Sequence, residues 1–385
     1  MAYVEQLTVL FSQDPLIDEV GYILDEASQS FQLHSHKLAI ALRVAPQLFR
    51  EGRDEFHSLN SNLNVPQVPD AILARLSNAT RAIVLISPDF YSAWNTRRKL
   101  VGRSYLTLNE ELKFCTLVLL FHPKSIDTWA YRRWLSACRP TEEHFAYLKE
   151  EIELCEIIAE RYPRNYHAWS YRHWIWLQIT GMNKHKSAQQ TLIKEEMEMM
   201  NMWCKSHLMD GSGWNHRALL VSSALKIEWV ANVMKKSAEM ILSAEYEYIS
   251  QLLSAYPKHE ALWYHRRFVI QQYLAFAFRK ETHTTSCFET LICDTSKILL
   301  ESICNIRKAS GASESLQLAW DSLHFHTTHN ICKSTVQTVV TEIETALRFS
   351  ADVTGSNLFA KQFALWLGGS FVPQNVHDLI KYQRL

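Results

Sequence analysis

Glycine and proline are scarce in this chain, with ten of each among 385 residues. An all-β fold needs both residue types for its many tight turns, so their scarcity argues against that fold class, whereas Leu, Ala, Glu and Lys are plentiful. The eight cysteines are scattered, with no C-x-x-C pair and no dense disulfide spacing. We therefore expect reduced, mostly buried thiols in a reducing compartment.

Long runs of one charge sign and long apolar runs are also missing. Forty basic residues balance forty acidic ones, so the electrostatic footprint that nucleic-acid binding requires is absent. The longest apolar run, Cys115 to Phe121, is far too short to span a bilayer. The first twenty residues lack the basic start of a secretory signal peptide. We expect a cytoplasmic protein with no membrane span and no nucleic-acid partner.

What the sequence does contain is a repeated motif, a tryptophan followed three residues later by an arginine. Four of the five copies are preceded by a proline six residues before the tryptophan, at positions 88, 123, 163 and 257. The tryptophans are 35, 40, 45 and 49 residues apart, as in helix-pair repeats. The spacing predicts an all-α fold, a right-handed α-α superhelix (solenoid) of helical hairpin repeats. The five pairs are Trp94/Arg97, Trp129/Arg132, Trp169/Arg172, Trp214/Arg217 and Trp263/Arg266.

The motif divides the chain into three segments. Residues 1–86 contain amphipathic stretches around Leu16 to Phe49 and Asp70 to Ile86, and we interpret them as an N-terminal helical cap. Residues 87–278 contain the five copies, with intervening helices that end where a proline follows. Residues 279–385 lack the motif and are interpreted as a helical region of degenerate repeats or a cap.

The tryptophans and arginines of the motif have a structural interpretation. Residues i and i+3 share one face of a helix, so the indoles would fill the space between neighbouring hairpins. The guanidinium groups would bond to helix-end carbonyls or to a carboxylate of the next repeat. The loop before each tryptophan is different, because it leads into a helix N-terminus, where free N–H groups favour an anion. In the third copy this loop contains Arg164 and Tyr166.

The pattern P-x-N-Y-H-A-W-x-x-R-x-W, from Pro163 to Trp174, resembles the repeat of protein prenyltransferase alpha subunits. The resemblance covers about residues 87 to 278, half of the chain. It implies a crescent of helical hairpins wrapped around a separate beta subunit. That subunit would hold the isoprenoid pocket and the zinc that activates the substrate cysteine thiolate. No cofactor is expected on this chain itself.

The same resemblance places Arg164 and Tyr166 where the family contacts the diphosphate of the isoprenoid. The family has a lysine at the first of these positions, and arginine keeps the positive charge that stabilises the departing diphosphate. Asp210 lies where the family has an asparagine in the fourth repeat. A carboxylate there would repel diphosphate, so this loop has either changed its role or moved away.

The resemblance implies that the chain is the alpha subunit of a heterodimeric protein geranylgeranyltransferase. It would dock a catalytic beta subunit, that of Rab geranylgeranyltransferase, and help to select the protein that receives the isoprenoid on a C-terminal cysteine. Geranylgeranyl diphosphate would be the co-substrate. Activity would belong to the complex, because this chain alone shows no complete active site. The alternative is a noncatalytic helical-repeat scaffold or adaptor that has kept the solenoid and lost the enzyme.

One further cluster contains metal-ligand residue types. His324, His326, His329 and Cys332 form the pattern H-x-H-x2-H-x2-C. Its spacing matches no closed structural zinc signature, and four side chains so spaced on one helix cannot all converge. We expect no metal there.

Overall fold

The computed structural model describes residues 1–24, 29–139, 144–182 and 186–281. The C-terminal segment from residue 282 onward, with the cluster His324 to Cys332, lies outside the described residues. The chain divides into two compact units, Met1–Gln189 and Gln190–Leu385. Each unit is described by itself.

The first unit contains a small sheet and a series of helices. In chain order its elements are α1 Tyr3–Gln13, β1 Glu19–Ile23, β2 Phe31–His34, β3 Lys37–Ala41, α2 Ala45–Leu59, a 3-10 helix Asn60–Asn64, α3 Asp70–Ile86, α4 Tyr91–Gly102, α5 Leu108–Phe121, α6 Ile126–Ala137, α7 His144–Arg161 and α8 Tyr166–Gly181. Helix α9 Lys186–Ser206 crosses the boundary between the units. The second unit continues with α10 Gly211–Lys226, α11 Glu228–Met234, α12 Ala238–Ala255 and α13 Glu260–Glu281.

The five W-x-x-R motifs lie on α4, α6, α8, α10 and α13, which we call the marked helices. Each marked helix begins three residues before its tryptophan, so the indole occupies the same turn in every copy. The preceding helix packs beside its marked helix in the pairs α3 and α4, α5 and α6, α7 and α8, and α12 and α13. The predicted fold class, an all-α solenoid of helical hairpins, is confirmed.

The turns between paired helices form where the prolines predict them. Helix α5 ends two residues before Pro123, and α7 ends two residues before Pro163. Proline cannot continue the hydrogen-bond ladder and disfavours helical backbone in the residue before it. The widest spacing between tryptophans, from Trp214 to Trp263, contains the additional short helix α11. Among the described helices, none is both long enough and apolar enough to cross a membrane.

The N-terminal segment is not purely helical. Within the amphipathic stretch around Leu16 to Phe49, the helical interpretation is wrong for residues 19–23, 31–34 and 37–41, which form strands. Strand β3 pairs with β1 in parallel and with β2 in antiparallel orientation, so the strand order is β1-β3-β2. Strands β2 and β3 are joined by Ser35 and His36, whose φ angles of 47° and 65° are those of a two-residue hairpin turn. Leu38 and Ile40 are buried on alternate positions of β3. This period of two, over only five residues, is what a helical interpretation of the wider segment overlooked.

Candidate functional site

The five motif tryptophans lie in the core, and each is at most 5% exposed. In three copies the indole Nε1 donates to the carbonyl oxygen of the proline six residues earlier. These bonds are Trp94 to Pro88 at 2.7 Å, Trp129 to Pro123 at 3.0 Å and Trp263 to Pro257 at 2.7 Å. The turn thus leaves the proline carbonyl free to accept the indole N–H. The fourth copy has Leu208 in place of proline, and the buried Nε1 of Trp214 has no hydrogen-bond partner among the described residues.

The motif arginines are buried, and three of them bind a buried glutamate on a helix that follows later in the chain. Arg132 donates from Nε and Nη2 to the carboxylate of Glu151 at 2.5 and 2.6 Å. Arg217 donates to both oxygens of Glu245 at 2.6 and 2.7 Å. Arg97 binds Glu111 through the same pair of nitrogens. For these three arginines the partner is the expected carboxylate of the next repeat, and such bidentate bonds hold both the distance and the orientation of the two helices.

Arg266, in the fifth copy, bonds to the preceding helix of its own hairpin. It is 3% exposed. Its Nη1 donates to the hydroxyl of Ser250 at 2.8 Å and its Nη2 to the hydroxyl of Tyr246 at 3.1 Å. Both acceptors lie on α12, the preceding helix of the same hairpin. These two bonds join α13 to α12, a contact that the predicted partners of the motif arginines did not include.

The backward bond of Arg266 has counterparts in the other copies. Nη1 of Arg97 donates to the hydroxyl of Thr80 on α3 at 3.1 Å. Nη1 of Arg132 donates to Thr116 at 2.9 Å, and Nη1 of Arg217 donates to Asn201 at 2.7 Å. In both pairs the acceptor lies 16 residues before the arginine, the same separation as between Ser250 and Arg266. In the third copy, Nη1 of Arg172 donates to the carbonyl of Ile152 on α7 at 2.7 Å. That carbonyl lies within the helix rather than at its end. The guanidinium groups therefore also hold each marked helix to the helix before it, which the sequence analysis did not foresee.

A second side chain of the motif, two residues after the tryptophan, reaches the same set of glutamates. It is a tyrosine or histidine in four copies, and each bonds to the glutamate 20 residues earlier. These bonds are Tyr131 to Glu111 at 2.6 Å, Tyr171 to Glu151 at 2.7 Å, His216 to Glu196 at 2.7 Å and His265 to Glu245 at 2.5 Å. Glu111, Glu151 and Glu245 therefore each join the arginine of one copy to the aromatic ring of the next copy.

The same rings also pack against the tryptophan of the preceding copy. Tyr131 lies 4.6 Å from Trp94, and Tyr171 lies 5.2 Å from Trp129, between ring centroids. The sequence analysis missed both the rings and the glutamates. The constant separation of 20 residues is the signal that could have found them, although a separation that spans two helices and a turn has no helical period to suggest it.

Burial and hydrogen bonding act in opposite directions on the network around Glu245. Burial alone would raise the pKa of Glu245, but hydrogen bonds from His265 and attraction to Arg217 lower it to about 2. Burial lowers the pKa of His265 below its ordinary value, against the opposing effect of Glu245. At neutral pH the carboxylate is therefore charged and the imidazole neutral, with its Nε2–H directed at Glu245 Oε1. The networks are internal and tie repeat to repeat, which makes them structural rather than catalytic.

The loop of the third copy is anchored by Asn165, which is fully buried. Its Oδ1 accepts hydrogen bonds from the backbone N–H groups of His167 and Ala168 at 3.1 and 3.3 Å, so it caps the N-terminus of α8. Its Nδ2 donates to the carbonyl of Pro123 at 2.7 Å, the carbonyl that also accepts from Trp129. The backbone of this loop is thereby held on the preceding copy.

Arg164 and Tyr166 flank this anchor and are both exposed, Tyr166 by 63%. In the described part of the chain, no ion pair or hydrogen bond is made by either side chain. Arg164 has a φ of 59°, a left-handed conformation that the residues in the same loop position of the other copies do not share. That conformation costs a residue with a Cβ about 1–2 kcal/mol. The structure brings the two predicted site residues together, two positions apart on one turn.

The two neighbouring repeats continue this surface. In the first unit the first residue of each marked helix is large, apolar and exposed: Tyr91 by 60%, Ile126 by 64% and Tyr166 by 63%. Helices α4, α6 and α8 are packed in succession. The cations Lys124 and Arg164 are exposed two residues before Ile126 and Tyr166. We call these five residues the loop rim. It presents an apolar row with two positive charges beside it, and the same loop position of the first copy holds the exposed carboxylate of Asp89.

Comparison with known proteins relates this architecture to one family. The sequence pattern of the protein prenyltransferase alpha subunit repeat matches residues 108–138, 148–179, 193–224 and 242–273, which contain the last four motifs. Four copies of this repeat are therefore present in the chain. The chain is 25% identical over 358 residues to Protein prenyltransferase alpha subunit repeat-containing protein 1 of Danio rerio, covering 77% of this chain and 80% of the relative.

Two further relatives extend the comparison. The human protein of the same name is 26% identical over 330 residues, 70% of this chain and 77% of the relative. Geranylgeranyl transferase type-2 subunit alpha of Candida albicans is 30% identical over 99 residues, 23% of this chain and 25% of the relative. The similarity to the last protein is thus confined to a part of both chains.

In the loop of the fourth motif copy, the structure explains what Asp210 does. This residue is 3% exposed, and its Oδ1 accepts from the backbone N–H of Ser212 at 3.1 Å, which caps α10. Its Oδ2 accepts from the indole Nε1 of Trp203 at 3.3 Å. The carboxylate faces the helix N-terminus and the core. Asn165 caps α8 from the same motif position, so the two loops share this structural role.

The described residues of this repeat protein contain no metal centre of their own. Among them, no group of three or more His, Cys, Asp or Glu side chains could hold a metal ion. The cluster from His324 to Cys332 lies outside these residues. The side chains of the loop rim can supply hydrogen bonds and positive charge to an anion.

Proposed function

We propose that this protein is the alpha subunit of a heterodimeric protein geranylgeranyltransferase, a type III enzyme whose separate beta subunit carries the zinc and the isoprenoid pocket. The proposed partner is the beta subunit of Rab geranylgeranyltransferase. The co-substrate is geranylgeranyl diphosphate, and the acceptor is a protein with a C-terminal cysteine. The four matched repeats support the class of subunit. The relative named as a geranylgeranyl transferase alpha subunit supports the choice of isoprenoid.

The observation that carries this proposal is the exposed pair Arg164 and Tyr166. Asn165 already caps α8 and anchors the loop, so neither neighbour is needed for the turn, yet Arg164 is held in a left-handed conformation. Local strain of this kind clusters at functional positions. A guanidinium and a phenol can both donate hydrogen bonds to diphosphate oxygens. In the complex they would stabilise the negative charge that grows on the leaving group as the bond to the isoprenoid breaks.

The apolar row of the loop rim supports the docking of a partner chain. Three large apolar side chains, each at least 60% exposed, stand on adjacent helices in the same structural position. Exposed apolar clusters with a polar margin mark protein interfaces, and tyrosine is enriched in them. A beta subunit seated on this row would bring its diphosphate site close to Arg164 and Tyr166. Selection of the protein substrate would then belong to the assembled pair.

Co-expression with candidate beta subunits, followed by a geranylgeranyl-transfer assay on the purified complex, tests the proposal. Arg164→Ala should lower kcat by about 10²–10³, the usual effect of removing one donor that acts in the transition state. Arg164→Lys should restore part of the rate, because it restores the charge. The matched control is Lys258→Ala, an exposed cation at the same loop position of the fifth repeat. Failure to co-purify with any beta subunit would contradict the proposal.

The second candidate function is a noncatalytic scaffold or adaptor, and the carboxylate of Asp210, which would repel diphosphate, favours it. In that case the fourth loop has become purely structural, and the third would have lost its ligand as well. Arg164→Gly separates the two functions, because glycine adopts a positive φ without steric cost. A scaffold should only gain stability, by about 1 kcal/mol. A transferase subunit should gain the same stability and lose transfer activity.

A further inference from the structure

A cleft of about 650 Å³ lies within the second unit, away from the loop rim in sequence. Residues of α9, α10, α11 and α12 form its walls, together with the turn between α11 and α12. The repeat networks account for only part of the lining. Arg217 and Glu245 are already engaged with each other at 2.6 and 2.7 Å, so their charges offset one another at the base of the cleft.

The mouth of the cleft is positively charged. Four exposed lysines line it, Lys194 and Lys205 from α9 and Lys235 and Lys236 from the turn after α11. Within the part of the chain that the structure describes, no ion pair engages any of the four. Among the described lining residues, Glu198 is the one carboxylate besides Glu245. Four uncompensated ammonium groups against one carboxylate leave an excess of three positive charges, which favours an anionic occupant.

These charges are spread along the cleft rather than gathered at one point. Lys194 and Lys205 are eleven residues apart on α9, which places them on the same helix face and about 16 Å apart along the axis. That distance exceeds the size of one phosphate group. It equals the length of about five residues of extended peptide. The pair on the turn, Lys235 and Lys236, adds positive charge from the opposite wall.

The wall between the lysines is apolar. Met197 on α9, Val233 and Met234 on α11, and Ile241 on α12 line the cleft together. Methionine side chains are unbranched and adapt to different apolar partners. Tyr248 stands at the base, with its ring 4.2 Å from the guanidinium carbon of Arg217 and 5.7 Å from Lys205 Nζ. An occupant with one apolar side chain and several negative charges would be complementary to both features.

We propose that this cleft binds an extended acidic peptide segment of a partner protein, with one apolar side chain seated between α9 and α11. The carboxylates of the segment would lie along the lysines, and its apolar side chain would contact Met197 and Met234. This inference does not rest on the proposed transferase function. A repeat protein with no catalytic partner could present the same cleft.

Fluorescence anisotropy of the full-length protein with a labelled peptide tests the inference. The probe has one phenylalanine between two groups of three glutamates. Wild-type protein should bind it saturably, and the double charge reversal Lys194→Glu with Lys205→Glu should weaken binding by about tenfold or more, since each exposed charge contact contributes up to about fivefold. Lys226→Glu is the matched control, because this exposed lysine lies on α10 outside the lining. Circular dichroism verifies that every variant is folded.

The remaining measurements distinguish the occupants. Replacing the phenylalanine of the probe by alanine should weaken binding, and inorganic phosphate at matched ionic strength should not compete. Three results would overturn the inference: no saturable binding, equal weakening by Lys226→Glu, or competition by phosphate with no dependence on the phenylalanine. The last result would assign the cleft to a small phosphate-bearing ligand.

Discussion

The network around Glu151 offers the sharpest test of what holds the repeats together. Glu151 is 2% exposed and accepts two hydrogen bonds from Arg132 and one from Tyr171. Replacing Glu151 by glutamine keeps the size and shape of the side chain but removes its charge. The guanidinium of Arg132, itself 4% exposed, would then be buried without a counter-charge. The perturbation therefore acts on one interaction between two successive repeats and leaves the volume of the core unchanged.

The expected magnitude follows from this burial. Breaking a buried ion pair by removing one partner costs about 3–5 kcal/mol, because the remaining charge stays desolvated. We expect a loss of about 3 kcal/mol or more in the unfolding free energy of the first unit. With a urea dependence of about 1–3 kcal/mol per molar, the unfolding midpoint should fall by about 1–3 M. An exposed pair contributes only about 0.2–1 kcal/mol.

Urea unfolding, followed by circular dichroism and by hydrogen exchange of α6 and α8, measures this loss. The matched control is Glu55→Gln, which removes the charged partner of Arg75. Arg75 Nε lies 2.6 Å from Glu55 Oε1, but the arginine side chain is 58% exposed. The control should shift the midpoint by less than a third as much. Equal shifts for the two variants would refute the argument that burial makes the network decisive.

A rescue variant extends the test. Glu151→Leu combined with Arg132→Met replaces the whole ion pair by apolar side chains of similar volume. Such replacements are often neutral or stabilising, so the double variant should recover much of the stability that Glu151→Leu loses alone. Some loss should remain, because the hydroxyl of Tyr171 keeps no acceptor in this network. A double variant as unstable as the single one would show that the cost lies elsewhere.

Three further predictions concern the cores of the two units. The pKa of Glu245 is about 2 in the folded protein, against an ordinary 4.5, so its ionised form stabilises the fold by on the order of 3 kcal/mol. This stabilisation should be complete above pH 4.5 and be lost as pH falls toward 2. Hydrogen exchange of α12 across that range measures the loss. Trp129→Phe should cost about 1–2 kcal/mol more than Trp214→Phe in urea unfolding, because only Trp129 loses an indole hydrogen bond; equal costs would contradict this. Iodoacetamide should label the exposed Cys138 of the native protein well before Cys115, because burial raises the pKa of the Cys115 thiol to about 12. Peptide mass spectrometry measures the order of labelling, and a reversed order would contradict the prediction.

Several elements were predictable because their signals are local. Each marked helix begins three residues before a tryptophan, and the prolines end the preceding helices, since both effects depend on backbone sterics within a few residues. The small sheet was missed because its strands are short and lie inside a segment with an amphipathic pattern. The capping role of Asp210 was missed because the family resemblance compared side chains at one position, whereas the direction of the carboxylate depends on Trp203 and the start of α10.

Residue order alone was enough to establish a series of helical hairpins with one tryptophan and one arginine in each, because helix boundaries and repeat spacing are local properties of the chain. The partners of those arginines emerged only from packing. Arg132 meets Glu151 of the next repeat and also the hydroxyl of Thr116 in its own hairpin, where Arg266 meets the hydroxyl of Ser250. Partners across a turn are selected by distance and burial, and a linear sequence contains neither quantity. Only the tertiary structure likewise shows that Arg164 is exposed at the surface whereas Arg172, eight residues later, is buried.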